Sequence, residues 1–129
     1  MQIETHIIRF ERHLENAKKI ILEEDINNYF VFNTLMMECF QAVNNLIKIG
    51  NEVLGIKRLG IPTTYKDIFE KLKENGIITK KEFENISRLI FLRNLIAHEY
   101  YGISKEELLE MVSLLEEIKE FINRVKKMI

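Results

Sequence analysis

The stretch NYFVFNTLMMECFQAVNNLIKI, residues 28–49, decides the fold of this chain. It contains neither proline nor glycine and has no strand-like alternation, so it is predicted to form one long helix. Its large apolar residues lie on more than one helical face: Tyr29, Phe30, Phe32, Leu35, Met36, Met37, Phe40, Val43, Leu46 and Ile47. A helix that is apolar over such a wide arc lies at the centre of a bundle or also contacts a partner chain.

The sequence also indicates where this helix begins and ends. Asp25 or Asn27 is expected to cap its start, because each offers a side-chain oxygen to the amides of the first turn. Gly50 and Gly55 are expected to end it. Gly60 and Pro62 follow, and they begin a loop before the next helix.

The remaining segments carry narrower apolar stripes with steps of three and four residues, which are typical of amphipathic helices. The first, fourth and last stripes are Ile3, Ile7, Phe10, Leu14, Ala17 and Ile21; Phe83, Ile86, Leu89 and Ile90; and Leu108, Met111, Leu115, Ile118, Ile122, Val125 and Ile129. A shorter helix is predicted after Thr63 or Thr64. Threonine or serine precedes glutamate by three residues at 79–82 and 104–107, as in a capping box. The prediction is an all-α protein, an antiparallel four-helix bundle with one additional short helix, with residues 1–129 as a single domain.

Composition limits the function classes. Hydrophobic residues make up 47% of the 129 residues and charged residues 30%, a balance typical of a folded globular protein. The formal net charge of −1 argues against a broad basic surface for nucleic acid, but not against a small positive pocket. Cys39 is the only cysteine, so it is expected to be a buried thiol. His6 and His13 are expected to be surface residues. No stretch is apolar enough to span a membrane, and a cytoplasmic location is predicted.

Polar side chains with possible catalytic roles are concentrated in the stretch FLRNLIAHEYYG, residues 91–102. Arg93, Asn94, His98 and Tyr100 supply a fixed cation, an amide, a group that titrates near neutrality and a phenol. An arginine can bind a phosphate or stabilise charge that builds on it, and a histidine can transfer a proton. These groups suit RNA cleavage in which a 2′-hydroxyl attacks the adjacent phosphate. No carboxylate cluster with metal-binding spacing accompanies them, so no metal or other cofactor is predicted.

The spacing of Arg93 and His98 raises a geometric difficulty. On an ideal helix the two side chains point about 140° apart. They reach one phosphate only if the arginine wraps round, if the last turn distorts, or if a two-fold dimer brings in residues from a second chain. Spacing alone also allows a structural interpretation, in which Arg93, Asn94 and His98 satisfy one another and the helix ends.

The run Arg93-Asn94-x-x-x-His98-x-Tyr100 resembles the signature of the HEPN family, and more narrowly that of its HepT-like toxin branch. The order of helices and the loop at residues 62–65 resemble that branch as well. The resemblance implies a homodimer that cleaves RNA as a metal-independent endoribonuclease. Arg93 and His98 would be its catalytic pair, and Asn94 a supporting residue that helps to bind RNA.

The same resemblance implies a regulatory partner. In a type VII-like toxin–antitoxin system, a small MntA-like nucleotidyltransferase would adenylylate Tyr100 and so neutralise the toxin. The added AMP would place negative charge and bulk beside Arg93 and His98, excluding RNA. The neighbouring Tyr101 is a second phenol. Two alternatives remain open: a non-catalytic dimeric module that binds a nucleotidyltransferase or a nucleotide, and a purely structural helical dimer.

Overall fold

The computed structural model describes residues 2–98 and 102–129 of the chain, and these form five helices without a strand. The helices are α1 (Gln2–Glu23), α2 (Tyr29–Lys57), α3 (Tyr65–Glu74), α4 (Lys80–His98) and α5 (Lys105–Met128). Four are long and α3 is short, so the predicted all-α bundle with one additional short helix is confirmed.

Helix α2 is the central element, as its wide apolar arc predicts, because it packs against each of the other four helices. The core lies between them and draws on every helix, with Phe10, Leu46, Phe69, Leu89 and Phe121 fully buried. Burial of such side chains is the main stabilising term of a fold of this size. None of the five helices in the described part of the chain combines the length and hydropathy needed to cross a bilayer.

The start of α2 differs from the prediction. Its cap is Asn28, whose side-chain oxygen accepts hydrogen bonds from the backbone amides of Phe30 and Val31. The Asp25 carboxylate instead accepts from the backbone N–H of Asn27, in a turn that precedes the helix. Both predicted caps are therefore wrong, because they belong to this turn and lie too far upstream to reach the first-turn amides.

The predicted end of α2 is also wrong, because the helix passes through both glycines. Gly50 is buried, and a methyl group added there would lie 2.7 Å from two carbons of the Phe69 ring. It therefore permits the close approach of α3. The helix ends at Arg58, which adopts the left-handed conformation with φ 55° and donates its backbone N–H to the carbonyls of Gly55 and Leu54.

The other predicted caps are confirmed. Thr64, rather than Thr63, caps α3 by accepting from the backbone N–H of Asp67. At the start of α4, Thr79 and Glu82 exchange hydrogen bonds of 2.9 and 3.0 Å, as a capping box requires. The capping box at residues 104–107 forms in the same way at the start of α5.

The sequence also predicts the burial of Cys39 and the exposure of the two N-terminal histidines. Cys39 is fully buried, as predicted, and burial raises the pKa of its thiol to about 12. His6 and His13 are half-buried, so their prediction as surface residues is wrong. His13 Nδ1 lies 2.7 Å from the Glu38 carboxylate on α2. Burial and the nearby Lys48 lower the pKa of His6.

Candidate active site

Arg93 lies in the last turns of α4, and other helices hold its guanidinium group in place. Its Nε donates to Asn44 Oδ1 on α2 at 2.8 Å, and its Nη1 donates to Asn94 Oδ1 at 3.0 Å. The guanidinium carbon lies 5.0 Å from the ring centroid of Phe40 and 5.4 Å from that of Tyr65. Two amide acceptors and two aromatic rings therefore fix its orientation.

The positive charge of Arg93 is not neutralised by any carboxylate in the described part of the chain. Two other arginines contrast with it. Arg88, on the same helix, pairs with Glu110 at 2.8 Å, and Arg124 pairs with Glu82 at 2.6 Å. Because amide oxygens accept hydrogen bonds without carrying a formal charge, Arg93 keeps its full charge for an anion.

Two adjacent clefts open on this side of the bundle. The arginine cleft, of about 710 Å³, is lined by Asn44, Ile47, Lys48, Asn51, Pro62, Thr63, Thr64, Tyr65, Ile68 and Arg93. The histidine cleft, of about 550 Å³, is lined by Thr64, Tyr65, Lys66, Ser87, Ile90, Phe91, Asn94 and His98. They share Thr64 and Tyr65 at the start of α3, so Tyr65 separates the arginine from the histidine.

Among residues 2–98 and 102–129, no carboxylate lines either cleft, although the chain has 20 Asp and Glu residues. The arginine cleft contains two cations, and the histidine cleft contains a lysine and the imidazole. Two smaller clefts elsewhere on the surface do include acidic residues: Glu38 lines both, and Glu23 and Glu24 line one of them. The surface around Tyr65 is therefore electrostatically suited to an anion, in a chain whose net charge is −1.

The structure brings only some of the predicted site residues together. Arg93 and Asn94 are hydrogen-bonded, but His98 lies in the neighbouring cleft. Within one chain the helix geometry thus keeps Arg93 and His98 apart, as their angular separation predicts. His98 is exposed and has no hydrogen-bond partner within residues 2–98 and 102–129. Tyr100 and Tyr101 lie outside the described residues.

Asn94 contacts Arg93 in the way that the structural interpretation of the spacing allowed. Its side-chain oxygen accepts a hydrogen bond from the Arg93 guanidinium. The structural interpretation is therefore correct for the arginine and the asparagine, which satisfy each other. It is not correct for His98, which neither of them contacts.

Sequence reasoning missed three residues of this site, namely Asn44, Lys48 and Tyr65. A signal for the first two was present, because Asn44, Lys48 and Asn51 are polar and spaced by four and three residues in an otherwise apolar helix. Tyr65 follows the predicted cap of the short helix and carried no site signal in the sequence, but it is 49% exposed and lines both clefts.

The described residues contain no group of three or more His, Cys, Asp or Glu side chains that could hold a metal ion. Nor do the first-turn amides of α5 form a separate anion site. The Ser104 hydroxyl accepts from the Glu107 amide, and the Glu107 carboxylate accepts from the Ser104 amide. The side chains that face an anion are therefore those of the two clefts.

Comparison with known proteins identifies the family. The family model described as "Ribonuclease HepT-like" matches residues 3–125. The mRNA nuclease HepT of Shewanella oneidensis is 31% identical over 92 residues, which cover 70% of this chain and 67% of that protein.

Two solved structures share the fold at lower identity. The tri-AMPylated HEPN toxin of Shewanella oneidensis, in complex with MNT antitoxin, has a TM-score of 0.88 at 22% identity, over 97% of this chain and 96% of that one. YutE of Bacillus subtilis, a cytosolic protein of unknown function, has a TM-score of 0.85 at 20% identity, over 98% and 87%. On the family match and the HepT relative, this chain belongs to the HepT-like ribonuclease family.

Proposed function

We propose that this chain is the toxin of a toxin–antitoxin pair and acts as an endoribonuclease through Arg93 and His98. The observation that carries the proposal is the Arg93 guanidinium, which two amide oxygens hold beside the cleft of His98 and which pairs with no carboxylate of residues 2–98 and 102–129. Its family and the mRNA nuclease activity in the name of its relative support this assignment.

In the proposed reaction the 2′-hydroxyl of the RNA attacks the adjacent phosphorus. A bond forms between the 2′ oxygen and phosphorus, and the bond from phosphorus to the 5′ oxygen of the next nucleotide breaks. His98 accepts the 2′-hydroxyl proton as the new bond forms and delivers it to the departing 5′ oxygen. Arg93 stabilises the negative charge that builds on the phosphoryl oxygens, and Asn44 and Asn94 hold it for that purpose. No step requires a metal ion.

A homodimer resolves the separation of the two catalytic residues. Within one chain Arg93 and His98 lie on opposite sides of Tyr65. Around a two-fold axis, the histidine of each chain can approach the arginine of its mate, which gives two equivalent composite sites. We therefore propose the dimer as the active form.

The proposed regulation acts at Tyr100. A small nucleotidyltransferase antitoxin, of the kind seen with the HEPN toxin of similar fold, would transfer AMP to its phenol oxygen. Because Tyr100 follows His98 by two residues, the added phosphate would lie near the catalytic groups and repel RNA. Tyr101 is the alternative acceptor.

A second candidate is a non-catalytic dimeric module that docks a nucleotidyltransferase or binds a nucleotide. The placement of Arg93 and His98 in different clefts favours it, because a binding module does not need both groups at one phosphate. The two candidates differ in whether RNA is cleaved.

The test is cleavage of RNA by the purified protein in excess EDTA, before and after co-expression with a small MntA-like nucleotidyltransferase. We expect cleavage in EDTA by the protein expressed alone. We expect its loss after co-expression, together with an intact-mass increase of one or more AMP units that peptide mapping places on Tyr100. Cleavage that stops in EDTA would contradict the metal-independent mechanism. An unmodified mass and no cleavage in either sample would favour the binding module.

A further inference from the structure

The arginine cleft contains a second cation, Lys48, which the proposed catalytic mechanism does not use. Asn44, Lys48 and Asn51 follow one another at steps of four and three residues, so they share one face of α2. All three line the arginine cleft. Their neighbours Ile47 and Ile49 are buried in the core. Helix α2 therefore carries a polar face that is directed at the cleft.

Lys48 resembles Arg93 in its electrostatic setting. Its side chain is exposed and makes no ion pair within the described ranges, whereas Lys18, Lys71 and Lys126 all pair with carboxylates. The nearest acidic residues do not line the cleft. Glu52 lies one turn further along α2, and the Asp67 carboxylate accepts from Thr63 and pairs with Lys71. The lining of the cleft thus contains two cations and two amides and, among the residues that the structure describes, no carboxylate.

Tyr65 connects this cleft to the site of the proposed chemistry. It lines both clefts, and its half-exposed ring offers a face on which a base can stack. Because Arg93 and Lys48 line the same cleft, a strand that presents one phosphate to Arg93 can present a neighbouring phosphate to the polar face of α2. Cations beside an exposed aromatic ring are the combination that binds single-stranded nucleic acid.

We propose that the arginine cleft is a substrate subsite, in which Lys48 binds the RNA phosphate next to the one that is cleaved. Asn51 supplies amide donors and acceptors to the same nucleotide. This inference rests on the proposed ribonuclease function, because it names how the substrate is held beside that site. Lys48 is a binding residue in this scheme, and the proton transfer and charge stabilisation remain with His98 and Arg93.

The test compares Lys48→Gln with Lys127→Gln in the full-length protein. Lys127 is exposed near the end of α5 and lines neither cleft, so its replacement removes the same charge from a remote surface. The probe is a fluorescent RNA oligonucleotide that is 2′-O-methylated throughout, which lacks the attacking hydroxyl and cannot be cleaved. Its Kd is measured by anisotropy over a range of salt concentrations.

We expect Lys48→Gln to raise the Kd about tenfold, since it removes one charge-assisted contact. The slope of log Kd against log salt should fall by about 0.7, the value for one phosphate contact on a single strand. Lys127→Gln should change neither quantity. On cleavable RNA, Lys48→Gln should raise KM and leave kcat unchanged.

The outcomes separate this inference from the proposed function. Normal RNA cleavage with the same Kd, KM and salt slope for both variants would overturn the subsite and leave the ribonuclease intact. Binding of the methylated RNA that depends on Lys48, without cleavage of any RNA, would support the subsite and overturn the ribonuclease. If Lys48→Gln disrupts the dimer or antitoxin capture while RNA binding is unchanged, the cleft is a protein interface and the subsite is refuted.

Discussion

Gly50 is a point of close contact between α2 and α3, the helix that carries Tyr65. A methyl group at this position would lie 2.7 Å from Cε1 and Cζ of Phe69 and 3.0 Å from Cγ2 of Ile68. The Phe69 ring is fully buried, so it cannot retreat into solvent. The change Gly50→Ala therefore forces α3 away from α2 and should also displace Tyr65.

The expected change in the free energy of unfolding is the difference between two opposing contributions. Overpacking a tight core costs about 1–3 kcal/mol, whereas replacing glycine by alanine within a helix gains about 1 kcal/mol. We expect Gly50→Ala to lower the free energy of unfolding by up to about 2 kcal/mol, which lowers the Tm by up to about 7 °C in a chain of this length. RNA cleavage should fall as well, because Ile68 and Tyr65 line the arginine cleft.

Gly55 provides the matched control. It lies in the same helix, and a methyl group added there would have no neighbour within 4 Å. Gly55→Ala should therefore raise the free energy of unfolding by about 0.5 kcal/mol and leave cleavage unchanged. The assay is urea unfolding followed by circular dichroism, with RNA cleavage measured on the same preparations. A Gly50→Ala protein as stable as Gly55→Ala would refute the close-packing explanation.

Three further predictions follow from local contacts. Asn28→Ala should lower the free energy of unfolding by about 1 kcal/mol, and Asp25→Ala by less, because Asn28 alone caps α2; equal losses in urea unfolding would contradict this assignment. Cys39, whose pKa is raised to about 12 by burial, should react with a thiol reagent at pH 8 only in denaturant, and rapid labelling of the native protein would be the contrary result. Burial raises the pKa of Glu82, but hydrogen bonds from Arg124 and from the Thr79 backbone outweigh burial and bring the pKa below its ordinary value of 4.5. The stabilisation by this carboxylate is therefore present above pH 4.5 and lost as the pH falls through the lower folded pKa. Glu82→Gln should destabilise the protein at neutral pH. If the variant remains less stable than the wild type in strong acid, this link between the Glu82 pKa and stability is refuted.

The sequence predicts the helices and most of their starts because these features depend on nearby residues. Apolar spacing identifies the helices, and both capping boxes join residues only three positions apart. The start of α2 was misassigned because three candidate capping residues, Asp25, Asn27 and Asn28, lie within four positions. At 25–28, the choice between Asp25 and Asn28 depends on the exact residue at which the helix begins.

Long-range packing explains what the sequence could not predict. Glycine was interpreted as a helix terminator, but Gly50 is needed where Phe69, 19 positions further along the chain, packs against α2. Asn44, the hydrogen-bond partner of Arg93, is 49 positions away from it. The motif at Arg93–His98 predicts which types of side chain the site contains. Asn44 and Tyr65 become part of the site only because α2, α3 and α4 pack together. The placement of the proposed catalytic residues around a phosphate in the dimer stays a prediction, as do the cytoplasmic location and the single-domain extent.

The most direct test of the proposed ribonuclease is the rate of RNA cleavage in EDTA for Arg93→Ala and His98→Ala, measured beside two controls. Arg88→Ala removes an arginine from the same helix and loses only a half-exposed ion pair with Glu110. His13→Gln removes a histidine but keeps a hydrogen-bond donor for Glu38. We predict that each site variant folds and loses at least about a hundredfold in kcat, while both controls keep wild-type rates. Cleavage that survives in folded Arg93→Ala and His98→Ala proteins would contradict the catalytic assignment.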